Sequence, residues 1–456
     1  MTYQSIFKSA LLGTALALTA TPAYAQEAPE PLPGEPSLAA RPPVAEFTVA
    51  KPIVSQAVIA AFYDTFQPGI VFLDRPDFDV GVTRMLDVLD RSVVEGLEEG
   101  PRLAATIRRE LEIGIPTEPE QRAALDRLIS RAWMSYMATI KAPVPGMLYG
   151  DDWVKPKGTQ PHEILLTAKA VPDLAQHVAD MSNVNYFYDR IRDAEWKRLG
   201  ERPGAQPDPR VVANLSRARA MPRKGRYVIV DSASQTLWMV ENGQPVDSMK
   251  VVVGKVSYAT PMIASLIHYA TFNPYWHVPD HLARGYLADG MLREGKRYAE
   301  RNGYEMIDSW SYEAEVLDPM SIDWKAVKAG RAKVQARQLP SSINSMGKIK
   351  FDFPNPEGIY LHDTPKKEYF DLAARDLSNG CIRLEDAMRL GRWLLREEPV
   401  APNADPEQFV PLPVGTAVYV TYLTATVDEG GQLAFLDDIY SWDPVSGGAQ
   451  QAQGQR

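Results

Sequence analysis

The chain has 456 residues, 49 of them basic and 58 acidic, for a formal net charge of −9, with 45% hydrophobic side chains. That is enough apolar material for two or three folded domains, and the acidic balance argues against a nucleic-acid partner, which calls for a basic stripe. A single cysteine, Cys381, excludes an intrachain disulfide framework.

Lys8, an apolar run from Ala10 to Ala20 and Ala23-Tyr24-Ala25 before Gln26 follow the order of a secretory signal with a small-residue cleavage site. Residues 1–25 are therefore expected to be removed on export. The apolar run is shorter than the 18 or so residues that a spanning helix requires, so no membrane span is expected after cleavage. Residues 26–52, rich in Pro, Glu and Ala, read as an extended linker.

Residues 53–200 carry a helical period and read as an all-α module. Ser55 precedes Ile59, Phe62 and Tyr63 at helix spacing, and Thr117-Glu118-Pro119-Glu120 has the form of a capping box ahead of Leu125, Ile129 and Trp133. Residues 173–181 and 186–196 continue the pattern. The proline-rich stretch from Glu201 to Pro209 breaks it, and residues 201–213 are expected to be a linker.

Beyond it the period shortens to that of strands. Tyr227 to Val230 and Gln235 to Val240 alternate or run apolar, Asn242-Gly243 is a hairpin turn, and Lys250 to Val253 follows. Further strands are expected at 359–361 and 418–422, with a last hairpin turning at 428–431. The fold class is thus multi-domain α+β, a helical module followed by a mainly-β domain over 214–443. A long mixed insertion occupies about 274–337, and residues 444–456 form a disordered tail.

The chemistry concentrates in Ser378-Asn379-Gly380-Cys381-Ile382-Arg383, which follows Tyr360-Leu361-His362-Asp363-Thr364. An unpaired thiol after a glycine, downstream of a histidine, suits a nucleophile with its base. Helical spacing after Leu384 places Cys381 just before a helix N-terminus, with Glu385 and Asp386 in the first turn. The amides of Gly380 and Cys381 are expected to converge on an oxyanion. His362 would act as general acid and base, oriented by the backbone carbonyl of Asp363. Arg383 is expected to point away from Cys381 and to brace the loop or hold a substrate carboxylate. Tyr360 either supports the oxyanion or lines the pocket.

With Thr260-Pro261, Asn273-Pro274-Tyr275-Trp276 and Asn344-Ser345-Met346-Gly347, these motifs resemble the YkuD-type L,D-transpeptidases, in particular their large periplasmic YcbB-like branch. Residues 53–200 resemble that branch's scaffold domain more loosely. The resemblance implies a periplasmic enzyme acting on peptidoglycan stem tetrapeptides. Cys381 would form an acyl-enzyme with release of D-Ala, the product would be a 3-3 crosslink, and no metal or cofactor would be needed. It adds Ser378, Asn379 and Trp276 to a substrate-binding set with Arg383 and Tyr360, and implies that the insertion is a lid. Acceptors other than a stem remain open: a lysine of an outer-membrane protein, a free D-amino acid, or water. Departures are Asn379, where many members carry His, and the lack of an evident peptidoglycan-binding repeat between Tyr186 and Arg210.

Two other classes compete. His268, His277 and His281 with Asp280 or Asp318 offer the donors of a zinc peptidase, although Pro279 breaks the helix that would present such a pair. A wall-associated scaffold without catalysis is the second; binding alone needs no thiol.

Overall fold

A computed structural model describes residues 54–157, 160–202, 204–311 and 313–444. The expected signal segment, the linker over 26–52 and nearly all of the expected tail lie outside the described residues.

Among the described residues, eight α-helices come first: α1 (Gln56–Phe66), α2 (Phe78–Arg91), α3 (Gly100–Ile113), α4 (Pro119–Ile140), α5 (Pro161–Ala170), α6 (Leu174–Ser182), α7 (Tyr186–Gly200) and α8 (Pro209–Ala218). Ser55, Asp173 and Asn185 cap α1, α6 and α7 through side-chain oxygens, satisfying amides that each first turn leaves over. At α4 the expected capping box is corrected. The helix starts at Pro119 after Glu118, with no side-chain cap bond, because the fixed φ of proline already sets the first helical position. The apolar faces of α1 to α6 enclose one core around Phe72, Met85, Ile129, Trp133 and Leu165.

The expected linker over 201–213 is also corrected. Asp208 caps α8 by accepting from the Arg210 amide, and Pro209 takes the first helical position. The amide of Asn185 donates to the carbonyls of Ala218 and Met221 at 2.9 Å each, tying α7 to the end of α8.

Strand β1 (Leu148–Tyr149) lies within the helical region, yet pairs in parallel with β5 (Ile263–Phe272) of the mainly-β half. The remaining strands of that sheet are β2 (Tyr227–Asp231), β3 (Thr236–Glu241), β4 (Gln244–Gly254), β10 (Ile349–Phe351), β11 (Leu361–His362), β12 (Asp376–Ser378), β13 (Ile382–Leu384) and β14 (Gln408–Thr421). Asn242 and Gly243 both take positive φ, 52° and 79°, as the tight turn between β3 and β4 requires. The order runs β5-β10-β11-β13-β4-β3-β2-β14, and β14 pairs back onto β5, so the strands form a closed circuit.

Alternation along these strands separates two cores. Val228, Val230, Ile263, Ile267, Val418 and Val420 join Leu361, Ile382 and Leu384 in one. Tyr227, Ile229, Ala264, Ala417 and Tyr419 face the other way, against Val144, Met147, Tyr188, Ile191, Val211 and Leu215. β2 is buried along its whole length because the helical region covers its second face. The last hairpin, β15 (Ala425–Val427) with β16 (Leu433–Phe435), adds to this second core.

The insertion is a folded unit of mixed structure. β6 (Trp276–His277), β7 (Tyr304–Ile307), β8 (Val316–Leu317) and β9 (Gln335–Gln338) form a sheet in the order β6-β9-β7-β8. Around it lie α9 (Asp280–Leu282), a π-turn (Ala283–Leu287), α10 (Ala288–Glu294), α11 (Lys296–Asn302) and α12 (Trp324–Lys328). These elements enclose a separate core of Leu287, Met291, Tyr298, Met306, Trp324 and Val327. Asn344 donates to the carbonyls of Pro274, Gln338 and Leu339, fastening both ends of the insertion to one side chain.

Candidate active site

His362 ends β11, which pairs antiparallel with β10 and parallel with β13, in registers Lys350↔His362 and His362↔Arg383. The alternate positions Ile349, Phe351, Leu361, Ile382 and Leu384 fill the core, so Lys350, His362 and Arg383 form a row across the opposite face. Arg383 thereby shares a face with His362, which corrects the expectation that it turns away. Its guanidinium lies over the Tyr369 ring, 5.4 Å from the centroid.

His362 is 2% exposed. Its Nδ1 lies 2.6 Å from the backbone carbonyl of Asp363. A carbonyl only accepts, so Nδ1 carries the hydrogen and the lone pair is on Nε2. Burial, reinforced by Arg383 and then Lys350, holds the imidazole pKa down at about 3, so the ring is neutral at physiological pH. The Asp363 side chain is fixed in turn: it accepts from the Lys348 amide at 2.9 Å and pairs with Lys367 Nζ at 2.8 Å. Gly347 (φ +63°) makes room for it, since a Cβ there would stand 2.3 Å from Asp363 Oδ2.

Cys381 directly precedes β13, and Ile382 N donates to Tyr360 O at 3.1 Å, so Cys381 lies level with Tyr360, whose ring meets that of His362 at a centroid distance of 5.6 Å. The thiol is half-buried, with Sγ 3.7 Å from the carbonyl of Gly358. Asn355 shapes that turn, accepting from the amides of Glu357 and Ile359 and donating to the carbonyls of Phe353 and Ile359.

The expected helix N-terminus at Cys381 is corrected. Ile382, Arg383 and Leu384 form β13, wedged between β4 and β11, and the helix α13 (Ala387–Leu395) begins only after Asp386, its cap. The dipole of α13 therefore does not reach this thiol, since its effect is confined to the first turn.

The loop before the thiol is held by its own atoms. Ser378 Oγ donates to Cys381 O at 2.6 Å and accepts from Gly380 N at 3.1 Å. Two expectations are corrected by these bonds. Ser378, 2% exposed, braces the loop rather than lining a substrate site. The Gly380 amide is engaged inside the loop rather than aimed at an oxyanion. Gly380 is required for shape instead: φ is +119°, and a Cβ would stand 3.1 Å from Ile359 Cδ1. Asn379 is half-buried beside it.

Three supports act through partners distant in sequence. Thr260 Oγ1 donates to Gly380 O at 2.7 Å and accepts from Gly254 N at 2.8 Å. Arg375 ties the approach to the loop onto Gln235 O and Val251 O. Lys350 sits beside His362 with Asp352 and Glu407. The pattern Phe353-Pro354-Asn355-Pro356 did carry a turn signal that would have found Asn355.

Trp276 is half-buried and packs on the insertion's own core, with its ring 6.3 Å from Tyr304. The insertion reaches the thiol loop indirectly, through His281 stacked on Tyr258 at 5.4 Å. His268 is exposed on β5, and His277 meets Trp310 edge-on at 4.9 Å. Among the described residues, no three His, Cys, Asp or Glu side chains gather as metal ligands.

Residues 225–420 match the YkuD family, described as an L,D-transpeptidase catalytic domain, and residues 57–194 match the Scaffold domain family. A protein from Haemophilus influenzae named "Putative L,D-transpeptidase" is 25% identical over 320 residues, covering 68% of this chain and 64% of that protein. The chain thus spans under two thirds of that relative's length. Among solved structures, an L,D-transpeptidase from Mycobacterium smegmatis is 13% identical, covers 43% of this chain and 59% of its own, and has a TM-score of 0.21. One from Stackebrandtia nassauensis is 17% identical, covers 50% and 77%, and has a TM-score of 0.20.

Proposed function

This chain carries a YkuD L,D-transpeptidase catalytic domain behind a Scaffold domain, and from that premise we propose that it joins peptidoglycan stems through a thioester on Cys381. The observation that carries the reading is the buried neutral His362, with Nδ1 fixed on the Asp363 carbonyl, beside the strand that leaves the only cysteine.

Sγ adds to the carbonyl of the third stem residue while its proton passes to Nε2 of His362. The tetrahedral adduct collapses with rupture of the C–N bond, and D-Ala leaves with the proton that the imidazolium returns. The side-chain amine of a second stem then attacks the thioester, gives a proton to His362, and expels the sulfur, which recovers that proton. One amide is broken, one is formed and no redox partner is required. Arg383, on the same face, supplies a cation suited to a stem carboxylate.

The N-terminal signal pattern supports export to the periplasm, where this substrate lies. A mature protein beginning at Gln26 in a periplasmic extract would agree with it.

The test is incubation of the purified protein with tetrapeptide-containing muropeptides, with products read by mass spectrometry. The expected product is a dimer lighter than two substrates by one D-Ala, absent with Cys381→Ala. Monomers that lose only D-Ala would make the protein a hydrolase on the same thioester. Binding of muropeptides without a covalent adduct on Cys381 would overturn the reading in favour of a scaffold.

A further inference from the structure

Arg383 differs from the other arginines around the thiol loop. It stands two residues after Cys381, on the face that carries His362, and is half-buried. Among the described residues it makes no hydrogen bond or ion pair. Arg375, by contrast, donates to the carbonyls of Gln235, Val251, Leu372 and Ala373, and Arg389 donates to Asp247 and to the Ser248 carbonyl. The five N–H donors of Arg383 form a fixed fork that matches a carboxylate with two parallel bonds, and the protein's own groups do not use them. What holds this guanidinium is an aromatic ring: its Cζ lies 5.4 Å from the centre of Tyr369. Tyr369 is placed in turn by the 3₁₀ turn Lys367–Asp371. Lys250 Nζ donates to the Phe370 carbonyl at 2.8 Å, the Phe370 side chain is buried, and Lys367 pairs with Asp363 at 2.8 Å. Lys366 adds a further tether, with Nζ 3.3 Å from the Tyr369 hydroxyl.

We propose that Tyr369 is a positioning residue: it holds Arg383 in place for the free C-terminal carboxylate of the donor stem, so that the site selects peptides that end one residue beyond the attacked carbonyl. The inference deepens the reading of the site given above and rests on it for the identity of the donor.

The reach agrees with a leaving group of one residue. Positions two apart on an extended strand are separated by about 6.6 Å, and the terminal carboxylate of a one-residue leaving group lies about 3.5 Å beyond the carbonyl under attack. A sulfur from position 381 and a long side chain from position 383 can therefore meet the two ends of that residue. Each additional residue would carry the carboxylate about 3.5 Å farther away, and a C-terminal amide would replace a charged acceptor by a neutral group that sets N–H against N–H. An arginine with no ion pair has many rotamers to sample, and the ring narrows them. It attracts the cation without consuming an N–H donor, so the fork stays available for the carboxylate.

The test is binding to the full chain carrying Cys381→Ala, which takes a donor without reacting. Calorimetry gives Kd for a stem tetrapeptide ending in D-Ala and for the same peptide ending in D-alaninamide, with melting checked for each variant. The acid should bind about tenfold more tightly than the amide, the size of effect of a hydrogen bond to a charged group. Adding Arg383→Gln should abolish that preference and leave the Kd of the amide where it was. Adding Tyr369→Leu should reduce the preference about threefold, the effect of one cation–π contact, again without moving the amide, whereas Tyr369→Phe should retain it. Tyr369→Leu on top of Arg383→Gln should change nothing further. A ring that only packs would weaken acid and amide together and would do so with or without Arg383. Should Tyr369→Leu fail to fold, Tyr369→Met supplies the same comparison. Equal binding of acid and amide, binding of neither, or a Tyr369→Leu effect that is shared by both peptides or survives Arg383→Gln overturns the inference. Product formation by the wild type, read as above, decides the crosslinking reading separately: dimers formed without a preference for the acid would overturn this inference alone.

Discussion

At His362 a single side chain links folding to chemistry. Its imidazole is buried neutral, with a pKa near 3 against about 6.5 in an unfolded chain. Above about pH 6.5 neither state protonates it and the stability is fully present. As pH falls from about 6.5 toward 3, the unfolded chain takes up a proton that the folded one refuses, so stability drains away at up to about 1.4 kcal/mol per pH unit. Denaturant melts across this range should show the slope in wild type and a shallower one in His362→Gln. Gly347→Ala offers a second check. A Cβ at 2.3 Å from the Asp363 carboxylate, on a backbone with φ of +63°, should cost on the order of 2 kcal/mol. By displacing the residue whose carbonyl holds Nδ1, it should also slow thioester formation; unchanged turnover would separate the Asp363 carboxylate from the orientation of the ring.

Among the elements, those whose pattern is local were legible in sequence, and those that depend on distant pairing were not. The hairpin of β3 and β4 is legible by alternation around Asn242-Gly243, α1 by Ser55 and the apolar spacing after it, and α6 and α7 by the continuing helical period. β13 did not. Its three residues, Ile382 to Leu384, run into the apolar spacing of α13, and only pairing with β4 and β11 makes them a strand. Likewise the motif located Cys381 and His362, whereas Thr260 matters through a partner 120 positions away, a relation that periodicity does not encode. The resemblance puts Ser378 in the substrate set, and a hydroxyl beside the motif cysteine reads the same whether it faces outward or back into its own loop.

This reassignment of the helix has a measurable consequence. Asp386→Ala should cost about 1 kcal/mol in stability, the usual value of a lost cap, with little change in the alkylation profile of Cys381. A marked shift of that profile would bring the helix N-terminus back into the account. Thr260→Val should do the reverse. It removes a bond on each side of Oγ1, to Gly254 N and Gly380 O, so the loop loosens and turnover should fall by more than about tenfold, the effect of a misplaced reacting group.

For the molecule as a whole, the boundary between helical and catalytic halves is a matter of sequence families more than of packing. β1 pairs with β5, and the outer faces of β2, β5 and β14 share a core with α7 and α8. Arg217 reinforces the junction by pairing with Asp443 at 2.7 Å, with both side chains at most 5% exposed. Urea unfolding should accordingly report one transition by tryptophan emission and by far-ultraviolet dichroism. Arg217→Ala, which leaves the buried Asp443 carboxylate without its cation, should lower stability by about 3–5 kcal/mol. Two separated transitions in wild type would show that the shared core does not couple the halves.

The return of β14 onto β5 closes a loop between residues 263–272 and 408–421. A ribosome delivers these segments far apart in time, and Cys381 is synthesised in the interval. Cys381 therefore reaches its finished surroundings only when the final long strand closes the circuit of strands. Nascent chains stopped short of that strand should be reactive toward general thiol reagents yet barren as catalysts, so that competence arrives in one late step rather than by degrees.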